Sequence, residues 1–431
     1  MTDHCFVHLA HPLRIQGNMI EAHLPGTKIG EVCEVQRSIL EPEVIGIAQV
    51  IGFNREYTLL SLLNDNQGFS RDNVLLPTGK PFQIEVSNDM RGAIIDATGT
   101  IRGRLDDNSP EIITTGSTLE VTGSPRDFSQ RKPITDPLAT GVRSIDGLLT
   151  CGQGQRMGIF AAAGCGKTSL MNMIVEHSEA DIFVIGLIGE RGREVTEFIE
   201  ELRQSSKCSQ VVMIYATSDR SCVERCNAAL IASTVAEYFS RQGKNVILFI
   251  DSITRYARAL RDMALSMGEL PARRGYPASV FEALPKLLER PGRFIDGSIT
   301  AFYTVLIENE EESDVIGDEV RSILDGHIYL SQKLASRGHF PAIDILQSTS
   351  RVFQKVTAND HQEAALRFRD FLVRQKDMQL YLDLGEYRRG ENIDNDLAFD
   401  KKEPMEFFLK QDMNEYSDIH SCLDNLYGCV A

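Results

Sequence analysis

The chain contains no run of about 18 apolar residues, so no segment reads as a membrane-spanning helix. Its opening residues, MTDHCFVHLAHPLRIQG, lack a long apolar core behind a basic end, which argues against a secretory signal. It lacks a repeated C-x-x-C. The nine cysteines, an odd number scattered from Cys5 to Cys429, read as reduced cytoplasmic thiols and not as a disulfide framework. Basic residues are in deficit, with 45 Lys and Arg against 61 Asp and Glu and a net charge of -16. Such a surface repels a phosphate backbone, so no nucleic-acid partner is expected. Internal repeats and low-complexity tracts are also missing. What remains is 431 residues, 42% hydrophobic and 25% charged, the profile of an ordinary globular protein long enough for two or three domains.

The pattern changes twice along the chain. Residues 1–80 hold short strand-like runs, EVCEVQRS, VIGIAQVIGF and YTLLSLL, punctuated by LPGTKIG and NDNQG, a spacing that suits a small β-barrel. In residues 81–350 the apolar β-rich runs DIFVIGLIG, VVMIYAT, NVILFID and SITAFYTVLI alternate with helical stretches. Continuous apolar strands separated by helices imply a parallel sheet covered on both faces. One intervening helix is well marked: Ser221 and Glu224 form a capping box, Leu230, Ile231, Val235 and Tyr238 make an apolar stripe, and Gly243 ends it. In residues 351–431 the strands stop, and HQEAALRFRDFLVRQKDMQLYLDL and PMEFFLKQDMNEYSDIHSCLDNLY carry helical periodicity. The expected fold is therefore α/β, with an N-terminal β-barrel and a C-terminal helical domain.

Within the central part, GIFAAAGCGKTSLMNMIVEH places a glycine-rich turn between a strand, MGIFA, and a helix, KTSLMNMIVEH. The phosphate-loop pattern G-x-x-x-x-G-K-[ST] is met except at its first position, where Ala161 stands. That alanine adds one methyl at the strand end and is tolerable if φ stays negative; the phosphate-facing Gly164 and Gly166 are intact. Backbone N–H groups of Ala162, Ala163, Gly164, Cys165 and Gly166 could then turn toward an anion, aided by the helix N-terminus at Lys167, Thr168 and Ser169. Lys167 would reach the β- and γ-phosphates, and the Thr168 hydroxyl would hold Mg²⁺. Downstream, NVILFID closes an apolar run on Asp251, a carboxylate placed to hold the Mg²⁺ shell partly through water. Between them LIGERGREV ends a strand with Glu190 and Arg191, where a carboxylate could orient an attacking water and a guanidinium could face the γ-phosphate. The bland alternatives, a chance Gly-Lys-Thr turn and solvated strand-end charges, weaken once these pieces occur in this order. ATP and Mg²⁺ are the expected ligands.

These segments carry a resemblance. The loop, GERGREV, FIDSITRYARALRD, PARRGYPASVFEALPKLLERPG and PAIDILQSTSRV occur in the order seen in the rotary-ATPase α/β superfamily. PAIDILQSTS fits that superfamily's P-[SAP]-[LIV]-[DNH]-x-x-x-S-x-S signature. The combination GCGKT, GLIGERGREV, DSITRYARALRD and DEVRSILDGHIYLS is most similar to the ATPases of bacterial type III secretion systems, with the flagellar export ATPase as close cousin. Those ATPases resemble this chain in having alanine at the loop's first position. The similarity spans nearly the whole chain and is densest over residues 135–352. It implies a RecA-like nucleotide-binding core and, residue by residue, Glu190 as the catalytic glutamate, with Arg191 and Arg255 as its γ-phosphate neighbours. It also implies Phe340 as the aromatic face for adenine, where the superfamily's β subunit has tyrosine. Arg351 matches the arginine finger that a neighbouring subunit donates.

Further implications of the resemblance concern assembly and cargo. A finger supplied in trans implies a ring, most simply a homohexamer, with the barrel serving oligomerisation. The family's partners are central stalk and stator-like proteins of the export apparatus, which hold it peripherally at the inner membrane, and chaperone–effector complexes met by the C-terminal helices. The implied activity is ATP hydrolysis that releases effectors from chaperones and unfolds them for export. A Rho-type nucleic-acid translocase would share the layout but needs a basic or aromatic-lined barrel, and residues 1–80 have few aromatics and no Lys/Arg cluster.

Several features fit blander readings. His4, His8 and His11 lack acidic or cysteine partners for a metal. Cys222 and Cys226 read as small packing groups. Cys165 reads as buried under nucleotide, although a helix N-terminus lowers a thiol's pKa. Glu308 to Asp314 reads as a solvated loop. Arg273 and Arg274 fit either a surface turn or a contact facing a central pore.

Overall fold

The structure is a computed structural model and describes residues 9–54, 56–63, 68–106, 116–307, 314–384, 386–387, 389–390 and 392–431. An antiparallel sheet opens the chain, made of β1 (Pro12–Gln16), β2 (Met19–Ala22), β3 (Glu31–Gln36), β4 (Val44–Asn54), β5 (Tyr57–Leu62) and β6 (Val74–Pro81) in the order β1-β2-β5-β4-β3-β6. Strand alternation builds its core: Cys33 and Val35 of β3 turn in against Ile20, Ala48, Leu60 and Leu75, while Glu34 and Gln36 stay half-exposed. Ala10 exchanges two backbone hydrogen bonds with Leu75, of 3.2 and 2.8 Å, so the segment leading into β1 meets the opposite edge strand. Among the described residues the sheet curls onto itself at this one bridge and not through a continuous ladder.

Short ribbons follow: β7 (Gln83–Val86) pairs with β10 (Ser117–Glu120), and β11 (Pro137–Leu138) with β12 (Cys151–Gly152). The main sheet has ten strands: β8 (Ala93–Asp96), β9 (Ile101–Arg104), β13 (Arg156–Ala161), β14 (Ile182–Glu190), β15 (Val211–Thr217), β16 (Asn245–Asp251), β17 (Gly292–Arg293), β18 (Ser298–Leu306), β19 (Gly326–Leu330) and β20 (Thr349–Ser350). The order is β20-β19-β13-β18-β16-β14-β15-β8-β9, with β17 paired to β18. From β19 through β8 every pairing is parallel; β9, β17 and β20 are antiparallel additions.

Both faces are covered, as continuous apolar strands require. In β14, Ile182, Val184 and Ile188 pack on one face and Phe183, Ile185 and Leu187 on the other. The first face takes α4 (Cys222–Arg241), α5 (Ile253–Ser266), α6 (Ala278–Leu288) and α7 (Val315–Ile323). Helix α4 begins with the Ser221–Glu224 capping box, buries Ile231 and Val235, and gives way at Gly243 with φ +81°. The second face takes α1 (Arg143–Leu148), α2 (Lys167–His177) and α3 (Gly192–Gln204).

The helices α8 (Gln332–Ala335) and α9 (Phe353–Val356) are single turns at the sheet edge. The C-terminal helices α10 (Asn359–Asp383), α11 (Ile393–Asp400), α12 (Lys402–Leu409) and α13 (Ile419–Val430) pack on that second face, joining α1 and α2 in one core through Phe368, Phe371, Met405, Phe408 and Leu426. The periodic run from Pro404 to Tyr427 is thus two helices, because Asp418 caps α13 by accepting from the N–H groups of His420 and Ser421. Among the described residues no helix is long and apolar enough to cross a membrane.

Candidate active site

Parallel sheets offer ligand sites at the C-terminal ends of their strands, where the order switches direction. Strand β13 lies between β18 and β19, neither its neighbour in sequence, and its end opens into the Ala162–Gly166 loop. Gly164 and Gly166 have φ of +79° and +82°, the left-handed region that glycine enters without a Cβ penalty. Nothing lies within 4 Å of a Cβ placed on Gly164, which is exposed at the loop's tip. Ala162 is half-buried, Ala163 and Thr168 exposed, and Cys165 buried and in no disulfide. Helix α2 starts at Lys167 with no side-chain cap, which leaves its first N–H groups for an anion.

Strand order decides which carboxylates meet this loop. Strand β18 separates β13 from β16, so Lys167 reaches across it to Asp251 at the end of β16, Nζ to Oδ1 2.6 Å. Thr304 on β18 donates its hydroxyl to the same Oδ1 at 2.6 Å. Glu190 ends β14, the next strand over, and its Oε1 lies 3.5 Å from Lys167 Nζ and pairs with the Arg255 guanidinium from α5. Glu190 and Asp251 are 6% and 4% exposed, so two carboxylates share the dry end of the sheet with two cations. Such an arrangement can hold phosphate charge once Lys167 leaves its carboxylate partners, because the uncapped N-terminus of α2 then adds N–H donors to the ammonium. Glu190 Oε1 is buried between the Lys167 and Arg255 cations, which hold the carboxylate in place at the strand end.

Two cavities flank α2. One, of about 240 Å³, is lined by Lys167, Thr168, Glu190 and Asp251, and by Glu194 and Glu197 from α3. The other, of about 550 Å³, lies over Gly166 and Ser169 and is walled by Phe340, Arg143, Phe407 and Met413. The Phe340 ring would stand 3.4 Å from a Cβ on Gly166, so it covers the loop's helical end. The 407–415 wall is held by Arg143, a buried guanidinium that donates to the carbonyls of Phe408 and Lys410 and pairs with Glu415. Asp146 anchors the turn before α1 by accepting from Thr140 N, Thr140 Oγ1 and Gly141 N at 2.9, 2.7 and 2.8 Å, and burial pushes its pKa up to about 6 against those three donors.

Lys167, Thr168, Glu190, Asp251 and Arg255 therefore converge, and Ser169 and Phe340 line the second cavity. Arg191 does not join them: its side chain is 75% exposed and its Nη1 lies 3.5 Å from Glu194. Arg351 lies at the far end of the sheet. Its N–H donates to Asp325 O and its Nη2 to Arg321 O, at 2.9 and 3.3 Å. Leu330 of β19 faces Ala161, where the loop begins, whereas Gly326 faces Ser350. At ~3.3 Å per residue that places Arg351 about 15 Å from its own loop, farther than an arginine side chain spans. Sequence reasoning did not single out Thr304, Arg143 or the Phe407–Met413 wall. A hydroxyl near the end of the apolar run SITAFYTVL was the signal for Thr304; the wall depends on a contact across some 260 residues of chain, for which the sequence holds no local mark.

Among the other features, His4, His8 and Glu308 to Glu312 fall outside the described residues. His11 Nδ1 lies 2.9 Å from the Asn73 carbonyl. Cys226 packs in the core with Cys222 half-buried against it.

Comparisons with known proteins identify the family. Residues 141–350 match the ATP synthase alpha/beta family, nucleotide-binding domain, and residues 357–427 match the T3SS EscN ATPase C-terminal domain. The chain is 55% identical over 419 residues to the SPI-1 type 3 secretion system ATPase of Salmonella typhi, covering 97% of this chain and 96% of that one. It is 40% identical over 403 residues to the flagellum-specific ATP synthase of Bacillus subtilis, covering 93% and 90%. The structure of the assembled ATPase EscN from enteropathogenic E. coli superposes with a TM-score of 0.89 at 42% identity, covering 98% of this chain and 100% of that one. EscN in complex with its central stalk EscO gives a TM-score of 0.88 at 41% identity, with the same coverage. A phosphate loop facing two buried carboxylates, on a chain that matches such proteins from end to end, makes this protein a member of the type 3 secretion system ATPase family.

Proposed function

We propose that this ATPase works as a homohexameric motor of a type III secretion system, with each site shared between two neighbouring copies. The observation that carries the reading is the placement of Arg351, far from its own loop and exposed at the sheet's opposite end. In a ring of identical chains that guanidinium faces the loop of the next copy. Lys167 moves from Asp251 and Glu190 onto the β- and γ-phosphates, the α2 N-terminus holds the phosphate oxygens, and Phe340 stacks on the base. Glu190, steadied by Arg255, orients a water in line with the γ-phosphate and takes its proton. Arg351 of the adjacent copy neutralises the charge that develops as the phosphoryl group departs. Thr168 and Asp251 would hold Mg²⁺, Asp251 partly through water, and that ion when bound supplies charge neutralisation at the phosphates. Arg191 contributes to this cluster only after its exposed side chain swings inward.

Hydrolysis in such a ring would release effectors from their chaperones and unfold them, in the cytoplasm and at the inner-membrane export apparatus. The central stalk would occupy the ring axis and stator-like proteins its rim. The secretion role is favoured over flagellar export by the 55% identity to a secretion ATPase against 40% to the flagellar one.

The test is ATPase activity across a size-exclusion profile for the wild-type chain and Glu190→Gln. Activity should follow the large species and fall by about 10²- to 10⁴-fold in the variant, with nucleotide binding retained. Equal specific activity in the monomer fraction, or full turnover in the variant, overturns it.

A further inference from the structure

We infer that a groove between the sheet edge and the C-terminal helices is a docking site for an acidic amphipathic helix of a protein partner. This surface stands independently of the shared-site reading, because none of its residues lies in the phosphate site. The groove encloses about 500 Å³ between α8, the 343–347 segment, α10 and α12. Its floor is apolar: Ile343 and Ile345 are buried, and Leu334, Leu346 and Leu372 are half-buried. Around it stand Lys333, Arg337, Lys376 and Lys402. Among the described residues none of these four cations has a carboxylate partner, although the chain carries 61 acidic residues and a net charge of -16.

The two carboxylates of the groove are already engaged. Asp344 accepts from Leu346 N, Gln347 N and Gln347 Nε2 at 3.0, 3.1 and 3.0 Å, and Glu406 lies 3.9 Å from Lys410. Four cations without an ion-pair partner outnumber the groove's two carboxylates, and this excess of positive charge beside an apolar floor, on an otherwise acidic molecule, complements a ligand with one apolar face and carboxylates along its edges. A helix laid along it can set residues at i, i+3 and i+4 on the leucines and isoleucines of the floor, with the rest of its surface outside the groove. A concave site with buried floor residues suits a helix better than a flat anionic bilayer.

The probe is a fluorescein-labelled helical peptide of about 18 residues, leucine on one face and glutamate on the flanks. Anisotropy is measured with the full chain, with a Lys333→Glu/Lys376→Glu variant, and with a Lys-for-Glu version of the peptide. The acidic peptide should bind, weaken as salt rises, and lose at least about tenfold in affinity in the double variant, while the basic peptide does not bind. Unchanged ATPase activity per chain in the variant shows that its fold stands. Three outcomes each overturn the proposal: no binding of the acidic peptide, binding indifferent to the double variant, or vesicles of phosphatidylcholine and phosphatidylserine binding in a Lys333- and Lys376-dependent way where the peptide does not. Loss of self-association in the variant also overturns it, since the occupant would then be a second copy of this chain.

Discussion

The sharing of each site between two copies makes a quantitative prediction when two dead variants are mixed. Arg351→Ala removes a side chain that is exposed and holds one 3.3 Å hydrogen bond to Arg321 O, so stability should change by no more than about 0.5 kcal/mol. Turnover should nevertheless fall by about 10³- to 10⁵-fold, the worth of an arginine finger. Glu190→Gln leaves Arg351 intact but disables its own site. In a ring mixed at equal amounts, a complete site needs an intact Glu190 on one chain and an intact Arg351 on the next. Random assembly gives that arrangement at about a quarter of the interfaces of a closed ring. Steady-state phosphate release after co-assembly should thus rise from near zero to about a quarter of the wild-type rate per site, and return to zero when the mixture is diluted below assembly. A mixture no more active than its two components summed would refute the shared site, as would normal turnover by Arg351→Ala alone.

Other consequences are accessible to simple measurements. Phe340→Ala should weaken nucleotide binding by about 5- to 150-fold, the worth of one aromatic stacked on a base, with Phe340→Tyr close to wild type; equilibrium binding of a fluorescent nucleotide checks it, and an unchanged affinity removes Phe340 from the base site. Arg290 is fully buried against Glu237 (2.7 Å), Thr234 Oγ1 (2.9 Å) and Val121 O (3.2 Å). Arg290→Ala should cost about 3–5 kcal/mol by stranding the Glu237 charge, and Arg290→Met/Glu237→Leu much less; denaturant midpoints decide. Burial raises Asp146 from 3.8 to about 6, so the folded chain binds the proton more tightly than the unfolded one. Its contribution is present in full below about pH 3.8 and is lost as pH rises through about 6, a loss of about 3 kcal/mol. Asp146→Asn should therefore remove that slope from a stability–pH curve between pH 4 and 6, and a parallel curve would show the carboxyl titrating normally.

How much of this was legible in the residues follows from the range of each interaction. The strand–loop–helix from Arg156 to His177 is local: apolar run, glycines at two left-handed positions and a following helix lie within 22 residues, so the sequence marks it directly. The α4 capping box is local in the same way. Parallel strands covered on both faces leave unbroken apolar runs, and β14, β16 and β18 were visible for that reason. Less visible were things that depend on strand order. Nothing in the chain says that β18 inserts between β13 and β16, and that insertion brings Thr304 to Asp251. The break between α12 and α13 was also hidden, because the apolar period continues across a segment that Arg143 and Gln411 hold open.

The sequence alone determined the chemistry: a phosphate loop with Lys167 and Thr168, carboxylates at the ends of two strands, and an arginine closing the STSRV segment. These are short patterns, fixed by the φ, charge and helix-dipole needs of a few adjacent residues. Only the tertiary structure decided which of them meet. It turned the Arg191 side chain out to solvent, set Glu190, Asp251, Lys167 and Arg255 together at one end of the sheet because parallel strands in this order end side by side, and stationed Arg351 at the opposite end because β20 runs antiparallel to β19.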